Sequence, residues 1–382
     1  MYFIVRKYLF VCPRFHTNQV ALVEQLKKQG DEVVILAEYQ TKLENHLDVS
    51  PLLIKQAFLS RLWIKMVHFI TSKEKEDLTY RYFFSSRRYI KQSVANIKPD
   101  VVIVRDQLFN SIAWASALKH KKNILVIDYN QRPLWHEKER SLKDKLFKYR
   151  NHFLPKLHYT PVYQRSYSGA PLIQAKNTAF IPFVVRFDDR PQVKSDVMRI
   201  LDVGKYRCYK NHKLLVKAFS QITDKDKYHI TIVGQKLDKQ EHQYFSELEA
   251  MIDQLQLKPY FTLVCNVPNR EMKEYYFKHD VLILPSTREL ASYAILEAMS
   301  YKLAVISSNN NGTAWYVKEA QCGELFETKN EKSLINAIEK VRNNNYHLLG
   351  EAGYAYVEKN CHIDIFNAAI DRFATLPDNS LS

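Results

Sequence analysis

Two glutamates and two lysines are the residues in this chain whose types and spacing suit chemistry. Glu289 and Glu297 stand eight apart in an otherwise apolar run, STRELASYAILEAMSYKLAVISS, which begins at Ser286. Lys205 and Lys210 lie in VGKYRCYK, residues 203–210. A buried carboxylate is costly to desolvate unless something pairs with it, and its oxygens readily accept hydrogen bonds from hydroxyls. Ser286 reads as the end of a strand and 287–291 as a loop. Ser292 reads as the N-cap of a helix running to about Tyr301. The N–H groups of Ala291, Ser292 and Tyr293 at such a helix start suit a diphosphate. Glu297 then lies roughly 7 Å along the axis from Ser292, and Glu289 lies before the helix. That spacing puts one acceptor at each end of a nucleotide sugar. It equally describes a loop-capping Glu289 and a solvated Glu297. Lys205 follows Gly204, where backbone can approach a ligand closely. A point charge there would neutralise a departing diphosphate; two solvated loop lysines are the alternative.

The elements that must hold these groups are short β-branched runs alternating with helical stretches. In the first half the strands read YLFVC (8–12), EVVILA (32–37), DVVIVR (100–105) and NILVI (123–127). In the second half they read RILDVG (199–204), HITIVG (229–234), FTLVC (261–265), VLILPS (281–286) and AVISS (304–308). Continuous apolar strands between helices indicate parallel sheets covered on both faces. The fold class is α/β: two tandem, doubly wound, Rossmann-like domains, with ligands expected beyond the strand ends in the cleft between them. The expected divisions are residues 1–190 for the acceptor, 191–355 for the nucleotide sugar, and 356–382 as a helix crossing back to the first domain. The polar segment from Val185 to Asp196 reads as the link. Gly234, Asn266 and Val267 follow strand ends where a base would lie.

Composition narrows the class. The 382 residues are 46% hydrophobic and 25% charged, as in an ordinary soluble globular protein. Five scattered cysteines include no CxxC pair, which points to reduced thiols in a cytosol rather than disulfides or zinc. No apolar run is long enough to span a bilayer, and the start has no signal-peptide layout. The net charge of +15 sits wholly in residues 1–190, with 32 Lys+Arg against 17 Asp+Glu. Residues 191–382 hold 24 of each. A nucleic-acid binder is a rival reading of that charge, but no nucleic-acid module is visible.

The run containing Glu289 and Glu297 resembles the E-x7-E signature of family-4 retaining glycosyltransferases, of capsular and surface-polysaccharide type, which have the GT-B fold. The match extends through HITIVGQK, VLILPS and the basic pattern VGKYRCYKNHKLLVKAF, and covers most of residues 199–360. The resemblance implies glycosyl transfer with retention, from a nucleotide-diphosphate sugar to a saccharide acceptor. It implies that Glu297 binds ribose, that Glu289 sits near the reacting sugar carbon, and that Lys205 and Lys210 grip the diphosphate. A nucleotide-sugar epimerase on the same fold is the alternative. Two positions depart from the pattern: Ser292 and Lys302 stand where relatives often have Gly, and Lys302 would need a different backbone choice. No cofactor or metal is expected, because the one Asp-x-Asp triplet, Asp224 to Asp226, precedes a strand and reads as a turn.

Relatives often have a Gly-Gly loop after the first strand; this chain has PRFHTNQ (13–19), which offers His16 and Asn18. Asp106, Asp128 and Asn130 follow later strands and could face the acceptor. The segment from Leu52 to Thr71 is amphipathic, with Arg61, Lys65 and His68 on one face. Basic, aromatic-bearing helices suit an anionic membrane surface, and a helix packed on the sheet is the other reading. A lipid-linked acceptor and a peripheral place on the cytosolic leaflet would account for the charge. The tail reads as helical from about Tyr354 to Phe373.

Overall fold

The computed structural model describes residues 5–38, 51–71, 82–105, 108–118, 121, 123–130, 158–161, 181–188, 195–289 and 291–375. The chain divides into two compact units. One comprises residues 1–164, 171–182 and 363–382, and the other residues 165–170 and 183–362.

The first unit is built on a six-stranded parallel sheet. Its strands are β1 (Lys7–Cys12), β2 (Glu32–Ala37), β3 (Leu52–Leu53), β4 (Val101–Arg105), β5 (Leu125–Asn130) and β6 (His158–Pro161), in the order β3-β2-β1-β4-β5-β6. Tyr8, Leu9, Phe10 and Val11 are fully buried, as an unbroken apolar strand must be when both faces are covered. The last described helix, Ile363–Thr375, belongs to this unit. Phe366 meets Tyr8 at 6.2 Å between ring centroids, and Asn367 Nδ2 donates to Gln29 Oε1 at 3.1 Å.

The second unit repeats the plan. Its strands are β7 (Met198–Val203), β8 (Tyr228–Gly234), β9 (Phe261–Cys265), β10 (Val281–Leu284), β11 (Ala304–Ser308) and β12 (Gly323–Phe326), ordered β12-β11-β10-β7-β8-β9. From β7 the chain winds outward through β8 and β9. It then returns to β10, on the other side of β7, and winds the opposite way. In open sheets of this kind, ligands bind outside the carboxyl ends of the strands where the order reverses. Here that point is the pair β7 and β10.

Several local expectations are corrected. Leu52–Leu53 is a short strand, and the helix begins only at Phe58, running to Thr71. The tail is two helices, Tyr346–Asn360 and Ile363–Thr375. Lys302 keeps the left-handed turn that glycine would take, at φ +61°. Its ammonium, paired with Glu351 at 3.0 Å and lying over the Tyr354 ring, helps hold it there.

Candidate active site

The loop after β7 is held from below. Gly204 N–H donates to Val233 O at 3.0 Å. Gly234, at the end of β8, lies so near that a Cβ on it would sit 2.4 Å from Gly204 O; only glycine permits that approach. Tyr206 is fully buried, its hydroxyl 2.9 Å from both Ile232 O and Val264 O. Arg207 is fixed by Glu241 at 3.1 Å and by Asp238, the two residues that form the capping box of the helix Lys239–Gln254. Asn211 takes the left-handed conformation, φ +59°, and leads into the helix His212–Ser220. So constrained, the loop turns Lys210 back over Gly204, and a Cβ on Gly204 would lie 3.0 Å from Lys210 Cδ.

Lys210 Nζ donates to Glu289 Oε1, and both side chains are largely buried. The two loops at the switch point are also stitched through backbone. Thr287 N–H donates to Tyr209 O at 2.7 Å, with Thr287 Oγ1 at 3.2 Å from the same oxygen. On the far side, Gly312 N–H donates to Glu289 O at 3.0 Å, and Asn310 Nδ2 to Thr287 O at 2.7 Å.

Ser292 stands at the N-cap of the helix Tyr293–Ser300, but its side chain makes no capping bond. Thr313 Oγ1 accepts from Ser292 N–H at 3.2 Å instead, and donates toward Asn311 Oδ1 at 2.9 Å or Ser292 O at 3.3 Å. Ala291 is half-buried beside it. Tyr293 turns its hydroxyl to Val184 O at 3.1 Å and packs its ring edge-on to Phe183.

Glu297 is not a solvated helical residue. Tyr276 Oη donates to its Oε2 at 3.0 Å, and the Tyr276 ring stacks on Tyr301 at 5.1 Å. Burial pushes the Glu297 carboxyl up to about 7, against the Tyr276 bond and the nearby Arg186 charge, which both pull it down. Arg186 and Asp188 lie in the segment read from sequence as a link. The structure packs residues 184–188 onto the second unit, and Tyr301 Oη donates to Asp188 at 3.3 Å.

Beneath Lys210 lies a buried acid–imidazole pair. Asp202 of β7 and His212 are 3.8 Å apart, too far for a hydrogen bond, and both are almost completely inaccessible. Burial favours the neutral form of each. It raises the Asp202 carboxyl to about 8 and lowers the His212 imidazole to about 3, with Lys210 lowering both.

Residues 186–356 match the family described as "Glycosyl transferases group 1". That span contains Lys205, Lys210, Glu289 and Glu297. The matched span lies within the second unit. A curated relative, an uncharacterized 41.2 kDa protein in the cps region of Klebsiella pneumoniae, is 23% identical over 148 residues. The alignment spans 39% of this chain and only 38% of that protein's length. Among solved structures, a glycosyltransferase from Rickettsia africae ESF-5 superposes with a TM-score of 0.72 at 16% identity. The match covers 98% of this chain and 100% of that one. Anabaena HepE in complex with UDP-glucose superposes with a TM-score of 0.68 at 14% identity, covering 97% and 100%. These likenesses show the fold: two parallel-sheet α/β domains of the GT-B kind.

Within the matched span, Lys205 is half-buried directly after Gly204. Asn266, φ +57°, has its amide committed: Oδ1 accepts from Lys236 N–H at 2.8 Å and Nδ2 donates to Lys236 O at 3.0 Å. It braces the loop after β8, and Val267 follows it half-buried. Asp224 precedes a tight turn, Lys225–Lys227, and Asp226 lies within it, the first paired with Lys227 and the second accepting from Tyr260 at 3.0 Å. Among the described residues no cluster of three His, Cys, Asp or Glu stands ready for a metal.

The candidates of the first unit are less gathered. His16 precedes a tight turn, Thr17–Gln19, and makes no capping bond. Asn18 is buried in that turn. Asp128 is fully buried and accepts from Ser111 Oγ at 2.8 Å, which ties β5 to the helix Leu108–Leu118. Asn130 ends β5. Asp106 lies outside the described residues. Sequence reasoning missed Tyr276, Arg186, Asp202 and His212. Only Asp202 carried a signal, as an acid inside the apolar strand RILDVG.

Proposed function

We propose that this chain moves a sugar from a nucleotide-diphosphate sugar to a saccharide acceptor, with retention at the transferred carbon. The observation that carries the reading is the Lys210–Glu289 pair, held by the loops after β7 and β10 within the matched domain. An ammonium has three donors, so one on Glu289 leaves capacity for phosphate oxygens. Lys205 and Lys210 would offset the charge that develops on the departing diphosphate. Glu289 would accept from the sugar near its reacting carbon, and Glu297 from the ribose. The nucleotide donor is supported by HepE having been solved with UDP-glucose, and retention by the E-x7-E pattern. A role in surface polysaccharide assembly on a lipid-linked acceptor, without a metal, is the finer reading. The Klebsiella relative supports the polysaccharide part.

Thermal-shift titration with a panel of nucleotide sugars tests the reading. One nucleotide sugar should raise the melting temperature, with and without a chelator, while DNA and RNA should not. Stabilisation by nucleic acid and by no nucleotide sugar would overturn it.

A further inference from the structure

The helix Phe58–Thr71 is turned the wrong way for a surface helix. Such helices normally bury their apolar stripe. Here Ser60 and Ile64 face inward, while Phe58, Leu59, Leu62, Trp63, Phe69 and Ile70 are at least half exposed, Phe69 to 88%. The inward face is held by a polar anchor, because Ser60 Oγ donates to Tyr82 O at 3.0 Å and accepts from Gln56 Nε2 at 3.0 Å. At about 100° per residue, Arg61, Lys65 and His68 line one flank of the outward apolar sector. Beside the helix is a pocket of about 480 Å³ walled by Leu62, Trp63, Met66, Tyr82, Phe84 and Phe109.

We infer that this face inserts into an anionic lipid leaflet and that the pocket receives a hydrocarbon chain. Charge decides the occupant. Lys55, Arg61, Lys65, Arg87, Arg88, Lys91 and Lys98 are exposed, and residues 51–71 and 82–98 contain no Asp or Glu. A two-fold interface places a patch against its own copy, so a second copy would bring these cations together. Anionic headgroups would neutralise them while acyl chains cover the apolar sector. No described helix is long and apolar enough to cross a membrane, so the helix lies in the interface plane.

The test uses the full chain with phosphatidylcholine vesicles, with and without phosphatidylglycerol, some carrying bromine on the acyl chains. The protein should float with the anionic vesicles and lose binding in high salt. Acyl bromine should quench its tryptophan emission, and Trp63→Phe should remove most of that quenching. Phe69→Ser, at a solvated position, should leave the melting temperature unchanged and lower vesicle partition roughly tenfold. Three results would overturn the inference: no flotation, flotation in which Trp63→Phe leaves quenching intact, or a dimer in solution that Phe69→Ser dissociates. Nucleotide-sugar stabilisation of Phe69→Ser is read separately, so failure at the lipid face is distinct from failure at the donor site.

Discussion

The first sheet runs β3-β2-β1-β4-β5-β6 and the second β12-β11-β10-β7-β8-β9, so the order reverses at the same place in both. The loops at that place differ. After β7 and β10 stand Gly204, Lys210 and Glu289, braced by Tyr206, Arg207 and Thr287. After β1 stands Pro13 to His16, then a turn with Asn18 buried. Charge differs as well: the +15 lies in residues 1–190, and residues 191–382 are neutral. The two units thus share one frame and differ in the side chains it carries, and side chains grafted on a fold set its function, not the fold. The loops after β7 and β10 hold ionic groups in pairs, whereas the helix Phe58–Thr71 of the first unit presents cations and apolar side chains to solvent.

The comparison breaks most visibly if the paired groups after β7 and β10 prove dispensable. Lys210→Ala and Glu289→Gln should each lower kcat/KM about 10²–10³-fold, the scale for losing one preorganised electrostatic contact. Because the two touch, the double variant should fall short of the product of the single losses. Steady-state kinetics with the donor found by thermal shift checks both.

Glu297 gives the next effect. Its carboxyl, raised to about 7 by burial, is the better acceptor once ionised. Affinity for a nucleotide sugar should therefore strengthen as pH rises from 6 to 8, and Glu297→Gln should be weaker and flat with pH. A pH series of binding titrations reads this, and an unchanged pH response in the variant would remove Glu297 from the donor site.

Much of the second unit was legible because its strands are continuous apolar runs and its candidate site residues follow them in sequence. The shorter strands were not. Leu52–Leu53 has two residues at a sheet edge, and Gly323–Phe326 begins with a glycine and is mostly half-buried. Edge strands carry weak hydrophobic signals, since one side has no neighbour. The partners of Glu297 were hidden because Tyr276 and Arg186 come from distant segments that only folding brings together. The outward turn of the helix Phe58–Thr71 was also invisible, because an amphipathic pattern does not say which face is inward.

Asp202 and His212 sharpen the contrast at the level of stability. The His212 imidazole, lowered to about 3, binds a proton more readily unfolded, so it contributes stability that rises with pH up to about 6.5. The Asp202 carboxyl, raised to about 8, binds its proton more tightly when folded, so it removes stability as pH rises from about 4 to 8. The two offset below about 6.5, and above it only the Asp202 loss remains. Melting temperature should fall between pH 6.5 and 8, and Asp202→Asn should flatten that fall. An equal slope in both proteins would show that the carboxyl is already ionised in the native state.

The smallest effect separates the sequence reading from the structure at one cap. Thr313→Ala removes a buried hydroxyl that holds Ser292 N–H and should cost about 1–2 kcal/mol by denaturant unfolding. Ser292→Ala, which removes no capping bond, should stay within about 0.5 kcal/mol. The reverse ranking would restore Ser292 as the cap.

The most direct test is calorimetric titration of the full chain and of Lys210→Ala with UDP, GDP and ADP. One of these nucleoside diphosphates should bind the native chain, and Lys210→Ala should bind it at least about tenfold more weakly while melting at a similar temperature. Equal affinity in the two proteins, or binding of none of the three, would contradict a diphosphate site at the junction of β7 and β10.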